Sequence, residues 1–422
     1  MRLLRALIAG LCLASPLAAA EWQVVPGPGA IADALVRAAD GDTIRLGPGT
    51  YSETLVLDRP VHLTGTDATI DGGGTGSVIT VTGVDVSVSG LTVIGSGSSH
   101  ETIDSGIKLT KTAARADIRG NRVIGNLYGI DIHGAKDSVV AENTIEGRQD
   151  RRMNDRGNGV YVWNAPGSVV KNNDIRFGRD GIFINTSKRN TFHGNLFRDL
   201  RFAVHYMYAN DSEVSGNISI GNDLGYAVMF SNRVRVLDNI SVGDREHGVM
   251  MNYANHGEVS GNYVRETREK CTFLYNANKN HFHGNRFERC GIGLHFTAGS
   301  EGNRITGNAF IGNRTQVKYV SSRWVEWSEG GRGNYWSDFV GYDLNGDGLA
   351  DAPYRPNDSM DHVLWTQPAA RLLLGSPAVQ LVRWSQSAFP ALLPGGVIDS
   401  HPLMQPPEIG TGPRGAEIHH DG

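Results

Sequence analysis

The sequence predicts an all-β fold, a right-handed parallel β-helix, and three observations carry that reading. An asparagine recurs at Asn121, Asn143, Asn173, Asn195, Asn217, Asn239, Asn262, Asn285 and Asn308, in steps of 22, 30, 22, 22, 22, 23, 23 and 23 residues. A fixed period in the low twenties marks a solenoid. Short alternating segments follow a small residue at the same period: Gly129-Ile-Asp-Ile, Gly159-Val-Tyr-Val, Gly181-Ile-Phe-Ile, Ala203-Val-His-Tyr, Ala227-Val-Met-Phe, Gly248-Val-Met-Met, Thr272-Phe-Leu-Tyr and Gly293-Leu-His-Phe. Period-two alternation of β-branched and aromatic residues means short strands. Finally, Gly is 54 of 422 residues against 16 Pro, without the every-third spacing of collagen. Leucine-rich repeats share the period, but their fixed leucine pattern is absent. Asn tolerates the left-handed backbone of corners, and stacked Asn side chains form ladders along a coil axis. Parallel crossovers are right-handed, which sets the hand.

The elements follow in chain order. Residues 1–20 read as a secretory signal peptide: Arg2 and Arg5, an apolar stretch from Ala6 to Leu13, and Ala18-Ala19-Ala20 before cleavage after Ala20. The expected location is the periplasm. Residues 21–320 form the β-helix, opened by a short helix at Ile31–Ala39 that caps the first coil. Roughly a dozen coils at about 4.8 Å each make a rod of about 60 Å. The one long step reflects a polar insertion, Arg148 to Asn158 (RQDRRMNDRGN), expected as a loop on one face. Residues 321–405 form a C-terminal extension with an Asp-rich loop and an apolar helix. Residues 406–422, ending in His419 and His420, read as a flexible tail. With 40 basic and 44 acidic residues the chain has no nucleic-acid footprint, and no later apolar run is long enough to cross a membrane.

The repeat exposes the outward faces to inspection. With the second and fourth residues of each segment inward, the third series is Asp131, Tyr161, Phe183, His205, Met229, Met250, Leu274 and His295. The fifth is His133, Trp163, Asn185, Met207, Ser231, Asn252, Asn276 and Thr297. This stripe has one carboxylate and no Lys or Arg, a poor basis for polyuronide chemistry. His205, Met207, Met229 and Met250 instead place imidazole and thioether donors on adjacent coils, which suits Cu(I). The same residues, flanked by aromatics, also read as a hydrophobic docking surface. His193, His281 and His283 form a weaker set near the corners, where solvated His is ordinary.

Cys271 and Cys290 are the only cysteines after the signal peptide. The 23-residue register stacks Cys290 over Thr267, four residues before Cys271, so the expectation is two reduced, buried thiols. In the extension, Asp343, Asn345, Asp347, Leu349 (by its carbonyl) and Asp351 match the first nine positions of a Ca²⁺ loop, with Gly348 at the sharp turn and Tyr354 where a bidentate Glu belongs. A loop closed by its own Asx turns is the alternative. Ser376 and Pro377 read as N-cap and N1 of a helix to about Ala388. Leu372, Leu373, Leu374, Val379, Leu381, Val382 and Trp384 make it apolar over a wide arc, able either to cap the last coil or to dock on a partner.

The asparagine coils, the stretch GNYWSDFVGYDLNGDGLADAPY, the stretch RLLLGSPAVQLVRWSQSAFP and the Asp399-Ser-His-Pro402 ending resemble the NosD family. That resemblance spans nearly all of the mature chain. It implies a non-catalytic periplasmic protein that works with the ATPase and membrane subunit of an ABC transporter and with a copper chaperone lipoprotein. Together they serve the copper-sulfur site of nitrous oxide reductase, and membrane contact runs only through partners. No Walker motif is present, so ATP hydrolysis belongs to another chain. The rival classes are a mannuronan C5-epimerase or polysaccharide lyase, for which Asp131 and His133 are the nearest approach to a catalytic cluster, and a carbohydrate-binding module built on Tyr161, Trp163 and Phe183.

Overall fold

The computed structural model describes residues 19–297, 299–319, 323–357, 359–373, 376–389 and 395–408. The expected signal peptide, apart from Ala19 and Ala20, lies outside these residues, as do Leu374 and positions 409–422 of the tail. The described chain is a parallel β-solenoid. Each coil adds one strand to a 12-stranded sheet running from Leu55–Leu57 to Thr315–Tyr319, and two to a 24-stranded network. Inward positions stack on their equivalents one coil on: Ile130, Val160, Ile182, Val204, Tyr226, Val249, Thr272, Leu294 and Val317 form one such column. All are buried, and each large apolar member stabilises by roughly 1.5–3 kcal/mol relative to exposure.

The recurring asparagines form a single buried ladder. Each Oδ1 accepts the backbone N–H and the side-chain Nδ2 of the preceding Asn, for instance Asn195 N and Nδ2 to Asn217 Oδ1, both at 2.9 Å. Each Nδ2 also donates to a main-chain carbonyl, as Asn217 does to Phe192 at 2.9 Å. The ladder runs past the last Asn of the sequence reading to Asn334, which accepts from Asn308 at 2.9 Å. There the strand Tyr335–Trp336 still pairs with Ala309–Ile311, so the coil stack continues into the segment assigned to the extension. Asp399 then terminates the ladder, its Oδ2 accepting from Asn334 N at 2.7 Å and Trp336 Nε1 at 2.8 Å. Burial pushes the Asp399 carboxyl up against these donors.

A second corner carries Asn222, Asp244, Cys290 and Asn313, the register of the thiol pair. Here the structure corrects the expectation of free thiols: Cys271 and Cys290 form a disulfide, with Cα atoms 5.6 Å apart. The register of Cys290 over Thr267 is right, since Gly291 N bonds Thr267 O and Ile292 N bonds Glu269 O. The chain bends sharply from Thr267 to Lys270, however, so four residues of sequence bring Cys271 back beneath Cys290. Both side chains sit where the coil interior has room: Cys290 in the corner slot, Cys271 in the small-residue slot that opens each strand.

At the start of the rod, helix α1 (Ala30–Arg37) buries Ile31 and Ala34 beside the first strands. Its N-terminus has no side-chain cap of its own; Glu53 accepts from Ile31 N and Ala32 N instead.

Replacing Asn217 by Ala removes the acceptor of Asn195 N–H and of one Asn195 Nδ2 proton, the other still reaching Val170 O, and removes the side-chain donor to Phe192 O. A loss of at least about 2 kcal/mol is expected, measured by urea titration, with hydrogen-exchange protection falling first in coils 192–240.

Asp244 is fully buried, and burial pushes its carboxyl up to about 7 despite hydrogen bonds from Ser241, Ser219 and Asn222 N. Folded Asp244 therefore binds a proton that the unfolded chain releases near its ordinary value. Its contribution to stability is full below about pH 4, declines as pH rises to about 7, and is flat above that. Asp244→Asn removes this slope, and should be more stable than the parent at pH 8 by on the order of 2–4 kcal/mol, with little gain at pH 4. Parallel melting curves across that range check it.

Candidate functional site

The outward face of the 12-stranded sheet carries the residues of interest, in two columns that differ from the sequence reading at two coils. One column is Lys108, Asp131, Tyr161, Phe183, His205, Ala227, Met250, Phe273, His295 and Lys318. The other is His133, Trp163, Asn185, Met207, Met229, Asn252 and Tyr275. Met229 therefore pairs with Met207 and does not follow His205; Ala227 takes that place, and Ser231 is buried. Leu274 points inward, Phe273 outward, and Tyr275 replaces Asn276.

The cause is the small-residue slot. At Gly225 a Cβ would meet Gly248 O at 2.5 Å, so Gly225, and not Ala227, is the equivalent of Ala203. Cys271, and not Thr272, fills the slot in a later coil. The 22-residue asparagine step already pointed from Ala203 to Gly225; the local Ala-Val resemblance misled.

His205 and Met207 lie two residues apart on one strand, about 6.5–7 Å, and Met229 stands one coil from Met207, about 4.8 Å. Met229 is therefore a diagonal neighbour of His205, and Met250 lies two coils from His205 in the same column, with the buried Ala227 between them. His205 is 7% exposed. Its Nδ1 lies 3.1 Å from Asp180 Oδ2, and its Nε2 is buried without a hydrogen-bond partner among the described residues. Phe183 and Phe202 pack against the ring at 4.8 and 4.9 Å between centroids. Burial pushes the Asp180 carboxyl up, but hydrogen bonds from His205 and from Arg201, at 2.7 and 2.8 Å, outweigh it and hold Asp180 below the usual carboxylate value. A carboxylate on Nδ1 fixes the ring and leaves Nε2 as the donor to a metal. Sequence reasoning missed Asp180 and Arg201 because both sit at strand starts, outside the alternating positions. The step of 22 from His205 to Phe183 was the available signal.

Beside the Met pair, the corner residues Tyr208, Phe230 and Tyr253 stack along the rod with ring centroids 5.2 Å apart at each step. All three are exposed and hold φ near +50°. Bulky residues rarely adopt that conformation; the same corner holds Asn164, Thr186 and Asn276 in other coils.

Contrary to the sequence reading, the stripe does carry Lys and Arg. Lys108 precedes Asp131 in its column, with Nζ 3.9 Å from Oδ2, and Arg179 and Arg201 flank Asp180. Lys108 lies one coil before Gly129, where the alternating segments of the sequence begin. At the other end of the column, burial and then the Lys318 and Lys270 charges lower His295 to about 4.

The Asp-rich loop is occupied by its own backbone. Asp343 accepts from Gly346, Asp347 and Gly348 N–H, Asp347 from Leu349 N–H, and Asp351 from Leu344 N–H. The Gly348 bond is the largest cause holding Asp343 below its ordinary value. Asn345 donates to Asp347 rather than offering its oxygen to the same centre. Among the described residues no group of three or more His, Cys, Asp or Glu is placed to hold a metal ion; the bonds present are those of Asx turns. His193 and His283 share a column but stand four coils apart, bonded to Ser215 and Glu258 respectively. They do not converge.

Helix α2 (Ser359–Thr366) and helix α3 (Pro377–Ala388) are held near the last strand by Asn357 Nδ2 on Val317 O, at 2.7 Å, and by Lys318 over the Trp365 ring. Ser376 caps α3 by accepting from Val379 N. Val379 is 6% exposed and thus unavailable to a partner, while Leu381 and Trp384 are each 63% exposed. Leu372, Leu373 and Val382 are exposed as well. No described helix is long and apolar enough to cross a membrane.

The chain is similar to known proteins in sequence and, separately, in fold. A family model described as "Periplasmic copper-binding protein (NosD)" matches residues 141–341. A protein of Pseudomonas aeruginosa named "Probable ABC transporter binding protein NosD" is 42% identical over 390 residues, covering 89% of this chain and 91% of its own. One of the same name from Stutzerimonas stutzeri is 41% identical over 378 residues, covering 86% and 87%. Among solved structures, the Streptococcus pneumoniae surface protein and adhesin PfbA aligns with a TM-score of 0.55 at 13% identity, over 68% of this chain and 94% of that one, a likeness of fold alone.

Proposed function

The chain belongs to the NosD family, and on that footing we propose that it is a non-catalytic periplasmic accessory protein of an ABC transporter, presenting copper for the copper-sulfur site of nitrous oxide reductase. The observation that carries the copper part is His205: a buried imidazole with Nδ1 held by Asp180, Nε2 unpartnered, and Met207 and Met229 beside it. One imidazole and two thioethers suit Cu(I) over Zn²⁺. Copper here is cargo. A site of two thioethers and one nitrogen on an outer sheet binds weakly enough to release its ion to a partner. Met250 is the more distant member of the expected set. The relatives' names, binding proteins in both cases, support a non-enzymatic role; the charge of the outer stripe does not, since Lys108 and Arg179 stand there.

Partners in this reading are the transporter's membrane subunit and ATPase, a copper chaperone lipoprotein and the reductase. The exposed Tyr208, Phe230 and Tyr253 stack beside the Met pair offers the face that a copper-exchanging partner covers, and α3 offers a tether. Each buried apolar side chain of α3 contributes about 1.5–3 kcal/mol, less the cost of association.

For copper, His205→Ala and the double variant Met207→Leu, Met229→Leu should each lower Cu(I) affinity at least tenfold in competition with a chelator, while Met250→Leu changes it less than threefold. Leu preserves apolar volume, so a docking surface survives the Met changes. Unchanged Cu(I) affinity combined with failed reductase maturation would make the stripe a protein interface instead.

For the tether, truncation from Ala370 would also remove Asp399 and uncap the asparagine ladder, so point variants are the cleaner probe. Leu372→Lys with Leu381→Lys should release the protein from the membrane fraction while its melting temperature stays within about 2 °C of the parent, as expected for surface changes. Undiminished co-purification with the transporter places the tether elsewhere.

A further inference from the structure

The coils before His205 carry a cluster that copper handling does not use. Asp131 is 0% exposed, and neither carboxylate oxygen has a hydrogen-bond partner among the described residues. Lys108 Nζ lies 3.9 Å from Oδ2 and His133 Nδ1 lies 3.8 Å from Oδ1, both beyond hydrogen-bond length. A buried carboxylate without donors is unfavourable, and burial raises its pKa.

Arg179 is the second underused group. Its Nε is buried without a partner, and it stands 3.9 Å from Asp180, which Arg201 holds at 2.7 Å instead. The guanidinium lies 5.9 Å over the Phe183 ring. Tyr161, in the column between Asp131 and Phe183, has its phenol pushed up to about 12 by burial and then by Asp131.

The edge of this face is built and fixed. His100 joins Tyr128 OH at 3.1 Å to Asp155 O at 3.2 Å. Arg148, at the root of the 148–158 insertion, donates to Ser96 O, Gly97 O and Ser98 Oγ. The insertion is thus tied to the Ser96–His100 segment and, through His100, to Tyr128 at the start of the Asp131 strand.

We propose that this face, from the strand Ser105–Leu109 to the strand Asp180–Asn185, binds an acidic oligosaccharide of uronate type, with Lys108 and Arg179 taking its carboxylates and Asp131 accepting its hydroxyl donors. The pairing of needs selects the class. A neutral sugar answers Asp131 but leaves both cations idle. A simple anion answers the cations but is repelled by the carboxylate. A uronate chain brings hydroxyls and carboxylates in alternation, and the groups here recur one per coil over about 14 Å, three strand spacings. Lys108 is held by a single hydrogen bond to Thr102 O, so it is free to follow a ligand carboxylate and uncover Asp131. The face borders the copper site through Asp180 and Phe183, but it does not use His205, Met207 or Met229.

The experiment is calorimetric titration of the mature protein with a mannuronate tetramer, a galacturonate tetramer and the neutral cellotetraose. The proposal expects saturable binding of at least one uronate, at least tenfold tighter than cellotetraose, and weakening with salt. Asp131→Asn and Arg179→Gln should each cut uronate affinity at least tenfold. Melting curves show that each variant is folded, and Asp131→Asn should melt no lower than the parent. Flat titrations with both uronates, equal affinity for cellotetraose, or full affinity in folded Arg179→Gln overturn it. If Asp131→Asn is stabilised and the parent binds no uronate, Asp131 is a buried acid of no ligand role and the proposal fails.

Discussion

Stacking of each coil on the last in fixed register is the constraint on which everything else in this molecule depends. The buried asparagine ladder enforces it. A one-residue slip in any coil would leave an amide N–H, an Nδ2 and a carbonyl unpaired in the core, about 1–3 kcal/mol for each group. Each Asn serves two coils, so the penalty is shared along the rod and the register propagates. Inserted residues are consequently expelled to corners, as 148–158 are, while the ladder closes across the gap with Asn143 bonded to Asn173 at 2.9 Å. The same logic demands an end, and Asp399 supplies it from 65 residues beyond Asn334.

Function inherits this geometry. Because columns are rigid, the outer face is a lattice with about 4.8 Å between coils and about 6.5–7 Å between alternate residues. Donors meet only where the lattice brings them together. His205, Met207 and Met229 occupy neighbouring points of that lattice; Met250 lies two coils from His205 in the same column; His193 and His283 stand four coils apart. The aromatic corner of Tyr208, Phe230 and Tyr253 shows strain tolerated at one place: three bulky residues hold φ near +50° where neighbouring coils use Asn or Thr. Stacking and exposure, rather than backbone preference, select them.

Four buried aspartates show how differently one charge is accommodated along the same rod. Asp180 is held by His205 and Arg201 and stays ionised. Asp244 receives neutral donors and is raised to about 7. Asp399 receives neutral donors at the ladder's end and is also raised. Asp131 receives none. The first is joined to the copper reading, the middle two belong to the architecture, and the last is the odd one out, which is why it points to a ligand.

The sequence by itself determined the solenoid, its period, the polar insertion, the N-cap of α3 and the resemblance to the NosD family. Each of these is local or periodic: a repeat imposes the same environment on equivalent positions, so spacing alone reveals it. It also placed His205 and Met207 on one strand correctly. What only the tertiary structure decided are matters of slot and corner. The close approach of Gly225 to Gly248 O fixed which residue opens a strand, and so moved Met229 one column over. The bend at Thr267–Lys270 brought Cys271 to Cys290. Asp180 and Arg201 reached His205 from strand starts, and Lys108 reached Asp131 from a coil before the aligned series. Asp399 found Asn334 across a long separation. Periodicity reports distance along the chain, whereas corners fold that distance back on itself, and contacts made through them leave no period to read.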